Sequence, residues 1–88
     1  MRITLKLYAM LSDHLPTEAD GRKRKGNELT LDAAEGATVQ SVIDRFKLPP
    51  KLVHLVLVNG VYIQPQARAA HALAPEDELA IWPPIAGG

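Results

Sequence analysis

The residues of this chain best placed to do chemistry stand at its end, where Pro83-Pro84 lead into Ile85-Ala86-Gly87-Gly88. The two prolines fix φ and favour extended backbone, so the segment starts from a stiff base. The four residues beyond them span at most about 14 Å. Their side chains shrink from Ile85 through Ala86 to Gly87 and Gly88. A tapering tip of this kind suits a narrow tunnel in another protein, because glycine allows close backbone approach. The reactive group would be the α-carboxylate of Gly88. With an ordinary pKa of about 3.5 it is ionised at neutral pH and is a poor electrophile. A partner enzyme must therefore activate it, and an acyl-adenylate made from ATP is the expected form. The mixed anhydride could then accept sulfur and become a thiocarboxylate. A terminus that merely frays fits the composition equally well.

Other routes to chemistry close quickly. The chain has no cysteine, which removes disulfides, thiolate metal sites and cysteine nucleophiles together. Any handling of sulfur must then use a group other than a thiol, as a thiocarboxylate would. His14, His54 and His71 share no ligand spacing, so no metal site is expected. Ser12, Asp13 and His14 are consecutive and diverge in any regular structure, so they make no triad. No glycine-rich phosphate loop is present. ATP is therefore expected on the activating enzyme, with no cofactor bound to this chain. Ten basic and ten acidic residues cancel, and no field draws the chain to nucleic acid or to an anionic membrane. No apolar run approaches the roughly 20 residues of a membrane span. The opening Met1-Arg2-Ile3-Thr4-Leu5-Lys6 alternates and lacks the continuous apolar region of a secretion signal. A cytoplasmic location is the expectation.

The elements that must position the tail follow from periodicity. Residues 2–8 alternate, with Ile3, Leu5 and Leu7 on one face of a strand and Arg2, Thr4, Lys6 and Tyr8 on the other. Residues 9–15 read as one or two helical turns stopped by Pro16. Residues 17–27 are polar, hold Asp20-Gly21, Gly26-Asn27 and the basic run Arg22-Lys23-Arg24-Lys25, and are expected to be a mobile loop with a solvated tip, although the basic run could also steer an acidic partner. Residues 28–32 alternate again, as a strand antiparallel to the first. Thr38 is the expected cap of the main helix, whose Val39, Val42, Ile43 and Phe46 form one apolar stripe ended by Pro49-Pro50. Residues 52–58 are an aliphatic run closed by the hairpin signal Asn59-Gly60, with a short return strand over 61–63. Residues 66–74 read as a loop with a helical turn, and 74–77 as a tight turn with Pro75 second. The last strand is 78–82. One helix on one face of a mixed sheet of about five strands gives an α+β, β-grasp arrangement with the first and last strands as parallel neighbours. The whole of 1–88 reads as one domain, with 83–88 as its extended tail.

If Leu79 and Ile81 face the helix, Ala80 and Trp82 face away from it, towards solvent or a partner. Trp82, on an uncovered face beside the tail, is a candidate interface anchor, the alternative being that it folds over the sheet edge as part of the core. Half of Leu55-Val56-Leu57-Val58 must share that face, which an antiparallel sheet left to water would make polar.

The ending Asp77-Glu78-Leu79-Ala80-Ile81-Trp82-Pro83-Pro84-Ile85-Ala86-Gly87-Gly88 resembles that of the MoaD/ThiS family of ubiquitin-like sulfur carriers. The likeness extends to residues 1–9 and to Val58-Asn59-Gly60. The aromatic residue, double proline, β-branched residue, small residue and Gly-Gly resemble the small subunit of molybdopterin synthase most. The resemblance implies a ubiquitin-like fold and three partners: a ubiquitin-activating-type adenylyltransferase, a sulfurtransferase, and the large synthase subunit that receives the tail. It implies a sulfur-donating subunit, with the catalytic residues on the large one. Sulfur carriers for thiazole, cysteine or tRNA thiolation, and a lysine-linked protein modifier, share the same activation. Pro75-Glu76 stands where many members of that family have Asp-Gly, and the basic run belongs to no pattern of theirs.

Overall fold

Alternation along the first segment builds β1 (Arg2–Leu7), in which Ile3, Leu5 and Leu7 are buried and Thr4 and Lys6 half-buried. A computed structural model describes residues 1–84. Its main sheet also holds β4 (Glu28–Asp32), β5 (Leu55–Val58), β6 (Val61–Tyr62) and β7 (Glu78–Trp82), in the order β4-β1-β7-β5-β6. β1 and β7 are parallel, in the register Leu5↔Leu79 and Leu7↔Ile81, and the other neighbours are antiparallel. The short β2 (Glu18–Ala19) and β3 (Arg22–Lys23) form a separate hairpin. Among the described residues no helix is long and apolar enough to cross a membrane.

One face of the sheet is covered by α1 (Val39–Arg45). Seven residues are too few for a helix to persist alone in water, so α1 depends on burying Val39, Val42 and Ile43 against the sheet. Thr38 caps it as expected. The Ser41 N–H donates to Thr38 Oγ1 at 3.1 Å and the Thr38 N–H donates to Ser41 Oγ at 2.8 Å, a reciprocal pair that satisfies two otherwise unpaired donors. The helix stops before Phe46 rather than at Pro49. Lys47 turns left-handed at φ 53, its N–H donates to Asp44 O, and the Leu48 N–H donates to Ile43 O. These paired bonds close the last turn with a lysine where glycine is usual.

Residues 17–27 are more ordered than their polar composition suggests. Asp20 and Gly21 both have positive φ, at 53 and 78, as a two-residue hairpin turn requires. Asp20 Oδ2 accepts from the Asp32 N–H at 2.8 Å and from Arg45 Nη2 at 3.2 Å, fixing the turn to β4 and α1. Arg24 Nη1 donates to the carbonyls of Ser12 and Leu15, and its Nε to that of Gly26. The expected mobile loop is a pinned hairpin.

The bond from Asp32, followed by that from Arg45, holds the Asp20 carboxyl below the usual carboxylate range. A carboxyl with a lowered folded-state pKa contributes stability above its unfolded value of about 3.9 and loses it as pH falls further. We expect Asp20→Ala to destabilise the domain at neutral pH and the gap from wild type to narrow below about pH 4. Denaturant titrations across that range would show it, and a pH-independent gap would refute the ionic role.

Residues 74–77 form the expected tight turn, with the Asp77 N–H donating to Ala74 O at 3.1 Å. Glu76 follows Pro75 at φ 70, the third turn position where glycine fits best.

Candidate functional site at the base of the C-terminal tail

β7 occupies the middle of the sheet, and its alternation decides what each residue can do. Leu79 and Ile81 point at the core and are fully buried. Ala80 and Trp82 lie on the opposite face. The backbone around Trp82 is clamped from both sides: the Tyr8 N–H donates to Ile81 O and the His54 N–H to Trp82 O, each at 3.1 Å. The Trp82 ring stacks on Tyr8 with centroids 4.0 Å apart and planes 8° from parallel. The strand is thus held firmly to its final residue, immediately before the prolines.

The prolines divide. Pro83, the first of the expected tail residues, is buried, and Pro84 is exposed. Ile85, Ala86, Gly87 and Gly88, the remaining tail positions read from the sequence, lie outside the described residues.

Around Trp82 the uncovered face is apolar. Leu55 pairs with Trp82 and is 37% exposed, and Leu57 pairs with both Ala80 and Tyr62. This is the outward half of the aliphatic run, while Val56 and Val58 are buried. Ala80 differs from the expectation of a contact residue. It faces outward but is only 7% exposed, since it sits between the longer side chains of Lys6 and Leu57. It is a floor for the patch, whose accessible apolar surface comes from Trp82, Leu55 and Leu57.

Ionic side chains border the patch. Lys6 Nζ lies 2.6 Å from Glu78 Oε1 and 3.6 Å from Glu28 Oε2. The hydrogen bond to Glu78, helped by the charges of both carboxylates, raises the Lys6 pKa above that of an ordinary lysine. Lys6 therefore stays a cation throughout the physiological range and is no general base. Among the described residues no three metal-ligating side chains converge.

Arg68 was not marked by sequence reasoning. It is 6% exposed; its Nε donates to Ile63 O at 3.2 Å and its Nη2 to His54 O at 3.3 Å, while its own carbonyl accepts from the Gln40 N–H at 3.0 Å. The side chain thereby ties the start of β5 to the end of β6, and the backbone of the same residue ties them to the start of α1. A lone arginine in an alanine-rich stretch carries no periodic signal that would reveal this. Through His54, which holds the Trp82 carbonyl, Arg68 also supports the tail's base.

The described residues thus form a firmly held strand end beside an apolar face of the sheet. A family model described as the ThiS family matches residues 19–88, a span that includes the tail. A crystal structure of small archaeal modifier protein 1 from Haloferax volcanii superposes with a TM-score of 0.69 at 24% identity, covering 100% of both chains. A second crystal structure of that protein gives 0.66 at 22% identity over 96% of this chain and 98% of the other. No curated protein matches the chain. At these identities the likeness to the solved structures is one of fold, the ubiquitin-like β-grasp.

Proposed function

The chain belongs to the ThiS family of ubiquitin-like proteins, and from that premise we propose that it carries sulfur as a thiocarboxylate on Gly88, as the small subunit of a molybdopterin synthase. The observation that carries this reading is the order of the ending: a clamped strand, Trp82, two prolines, and side chains that taper to Gly87-Gly88. The Gly88 carboxylate attacks the α-phosphorus of ATP on an adenylyltransferase, and pyrophosphate leaves. A sulfide equivalent from a sulfurtransferase then attacks the acyl carbon, and AMP leaves. The charged tail enters the large subunit, whose residues catalyse transfer of the sulfur to the pterin precursor. This chain contributes the sulfur and the docking face and binds no cofactor of its own.

Incubation with the adenylyltransferase, ATP and a sulfur source, followed by intact-mass analysis, tests the reading. One oxygen exchanged for sulfur at the C-terminus is expected. Both superposed structures are of one protein named a modifier, which favours a second reading in which the same activation ends in an isopeptide bond to lysine. Lysine-linked products without a thiocarboxylate would select that reading. A thiocarboxylate that the large subunit cannot use would select a sulfur carrier for thiazole, cysteine or tRNA.

If the large subunit seats on the apolar face, Trp82→Ala should weaken binding by about 2 kcal/mol or more, as central aromatic anchors do. The stack on Tyr8 is itself worth about 0.5–1.5 kcal/mol, so a modest fall in Tm should accompany the change. Calorimetric titration of the folded variant separates the two, and unchanged affinity would remove Trp82 from the interface.

A further inference from the structure

The run Arg22-Lys23-Arg24-Lys25 has no part in the tail's chemistry, yet the fold does not leave it as a loose tip. Three of its members, Arg22, Lys23 and Lys25, wall a groove of about 530 Å³ floored by Thr4 of β1 and Thr30 of β4, with Arg2 adding a fourth cation. The protein's formal net charge is zero, so this is a local concentration. Lys23 and Lys25 make no ion pair among the described residues. Arg2 and Arg22 each make one, to Glu76 at 3.0 Å and to Asp32 at 3.2 Å, and exposed pairs of that kind are weak enough to exchange.

The groove's direction follows from its ends. Arg22 meets Asp32, and Lys25 bridges to Glu28, so the cations run alongside β4. Four residue steps of strand cover about 13 Å, room for four or five residues of extended peptide. The hairpin that forms the wall is already fixed by Asp20 and Arg24, so little ordering would oppose binding. Glu28 and Glu76 also line the groove. They would repel a nucleic-acid strand, which carries one charge about every 3.4 Å, but would tolerate spaced carboxylates.

We propose that this groove docks a short, extended acidic segment of a partner protein. It lies along β4 on the same uncovered face of the sheet as the Tyr8–Trp82 patch, which sits beyond the Lys6 end of β1. The inference does not depend on what Gly88 does.

An NMR titration of the ¹⁵N-labelled protein at low salt tests it, using an Asp/Glu-rich hexapeptide, its Asn/Gln counterpart and an oligothymidylate. Only the acidic peptide should shift the amides of residues 2, 4, 22–25 and 30, with affinity falling as salt is raised. The variant Lys23→Glu/Lys25→Glu changes only exposed side chains, so it should keep the wild-type Tm and bind at least about tenfold more weakly. Absence of shifts, shifts centred elsewhere, equal binding of the neutral peptide, or equal or tighter binding of the oligonucleotide would each overturn the proposal.

Discussion

Removing Gly88, or extending the chain beyond it, is expected to lower thiocarboxylate formation by about 100-fold or more while leaving thermal unfolding unchanged. The two halves of the expectation have separate causes. The described core runs through Pro83, with Leu79 and Ile81 fully buried and the backbone clamped to Tyr8 and His54, and a change at Gly88 alters none of these residues. Activation, by contrast, requires one carboxyl carbon at one place in the adenylating partner. An extension turns that carboxylate into an amide and moves the free acid outward by about 3.5 Å per residue. Deletion shortens the reach of the four residues beyond Pro84 by a quarter. Displacements of even about 1 Å can cost two orders of magnitude in rate. The measurement is intact mass after incubation with the adenylyltransferase, ATP and sulfur source, with a melting curve beside it. An extended protein that still acquired sulfur at wild-type rate would remove Gly88 from the mechanism.

How much of this could be read in advance depended on where the ordering forces come from. β1, β4, β5 and β7 bury alternate residues, and burial of that kind leaves a period in the sequence. The Thr38 cap and the Asn59-Gly60 hairpin are equally local, each fixed by side-chain or backbone chemistry within a few residues. The β2–β3 hairpin escaped because it buries almost nothing. Asp20-Gly21 is a hairpin signal in its own right, but the bonds that secure it come from Asp32, Arg45, Ser12 and Leu15, all distant enough to leave no pattern. Phe46 carried the helical period one residue past the true end, where Lys47 reverses the chain. At the site, the outward placement of Trp82 followed from alternation alone. The shielding of Ala80 did not, because it depends on the lengths of Lys6 and Leu57 in neighbouring strands. Nor did the burial of Pro83, because periodicity says which residues share a face but not where a strand's cover ends.

Replacing Arg68 with methionine is expected to destabilise the domain by about 3 kcal/mol, lowering Tm by roughly 12–24 °C at the scale typical of a chain this size. The substitution keeps a long apolar stem and so creates little cavity. What it removes is the guanidinium, whose Nε and Nη2 donate to the carbonyls of Ile63 and His54. Hydrogen bonds from a charged donor contribute about 1.5–3 kcal/mol each, and carbonyls stripped of a donor away from water lose solvation as well. An opposing effect is real: a cation 6% exposed is held at a desolvation cost that methionine would not bear. At 3.2 and 3.3 Å both bonds are somewhat long, which keeps the estimate at the lower end of what two such bonds could contribute. Lysine at the same position restores charge but not the planar, forked donor geometry, so Arg68→Lys should recover only part of the loss. The consequence reaches the tail, because His54 also holds the Trp82 carbonyl at 3.1 Å. Hydrogen exchange at the His54 amide should therefore accelerate in the methionine variant more than exchange at core amides of β1. Equal stability of wild type and Arg68→Met, or uniform acceleration across the sheet, would show that the guanidinium is tolerated at this position and does not pin it.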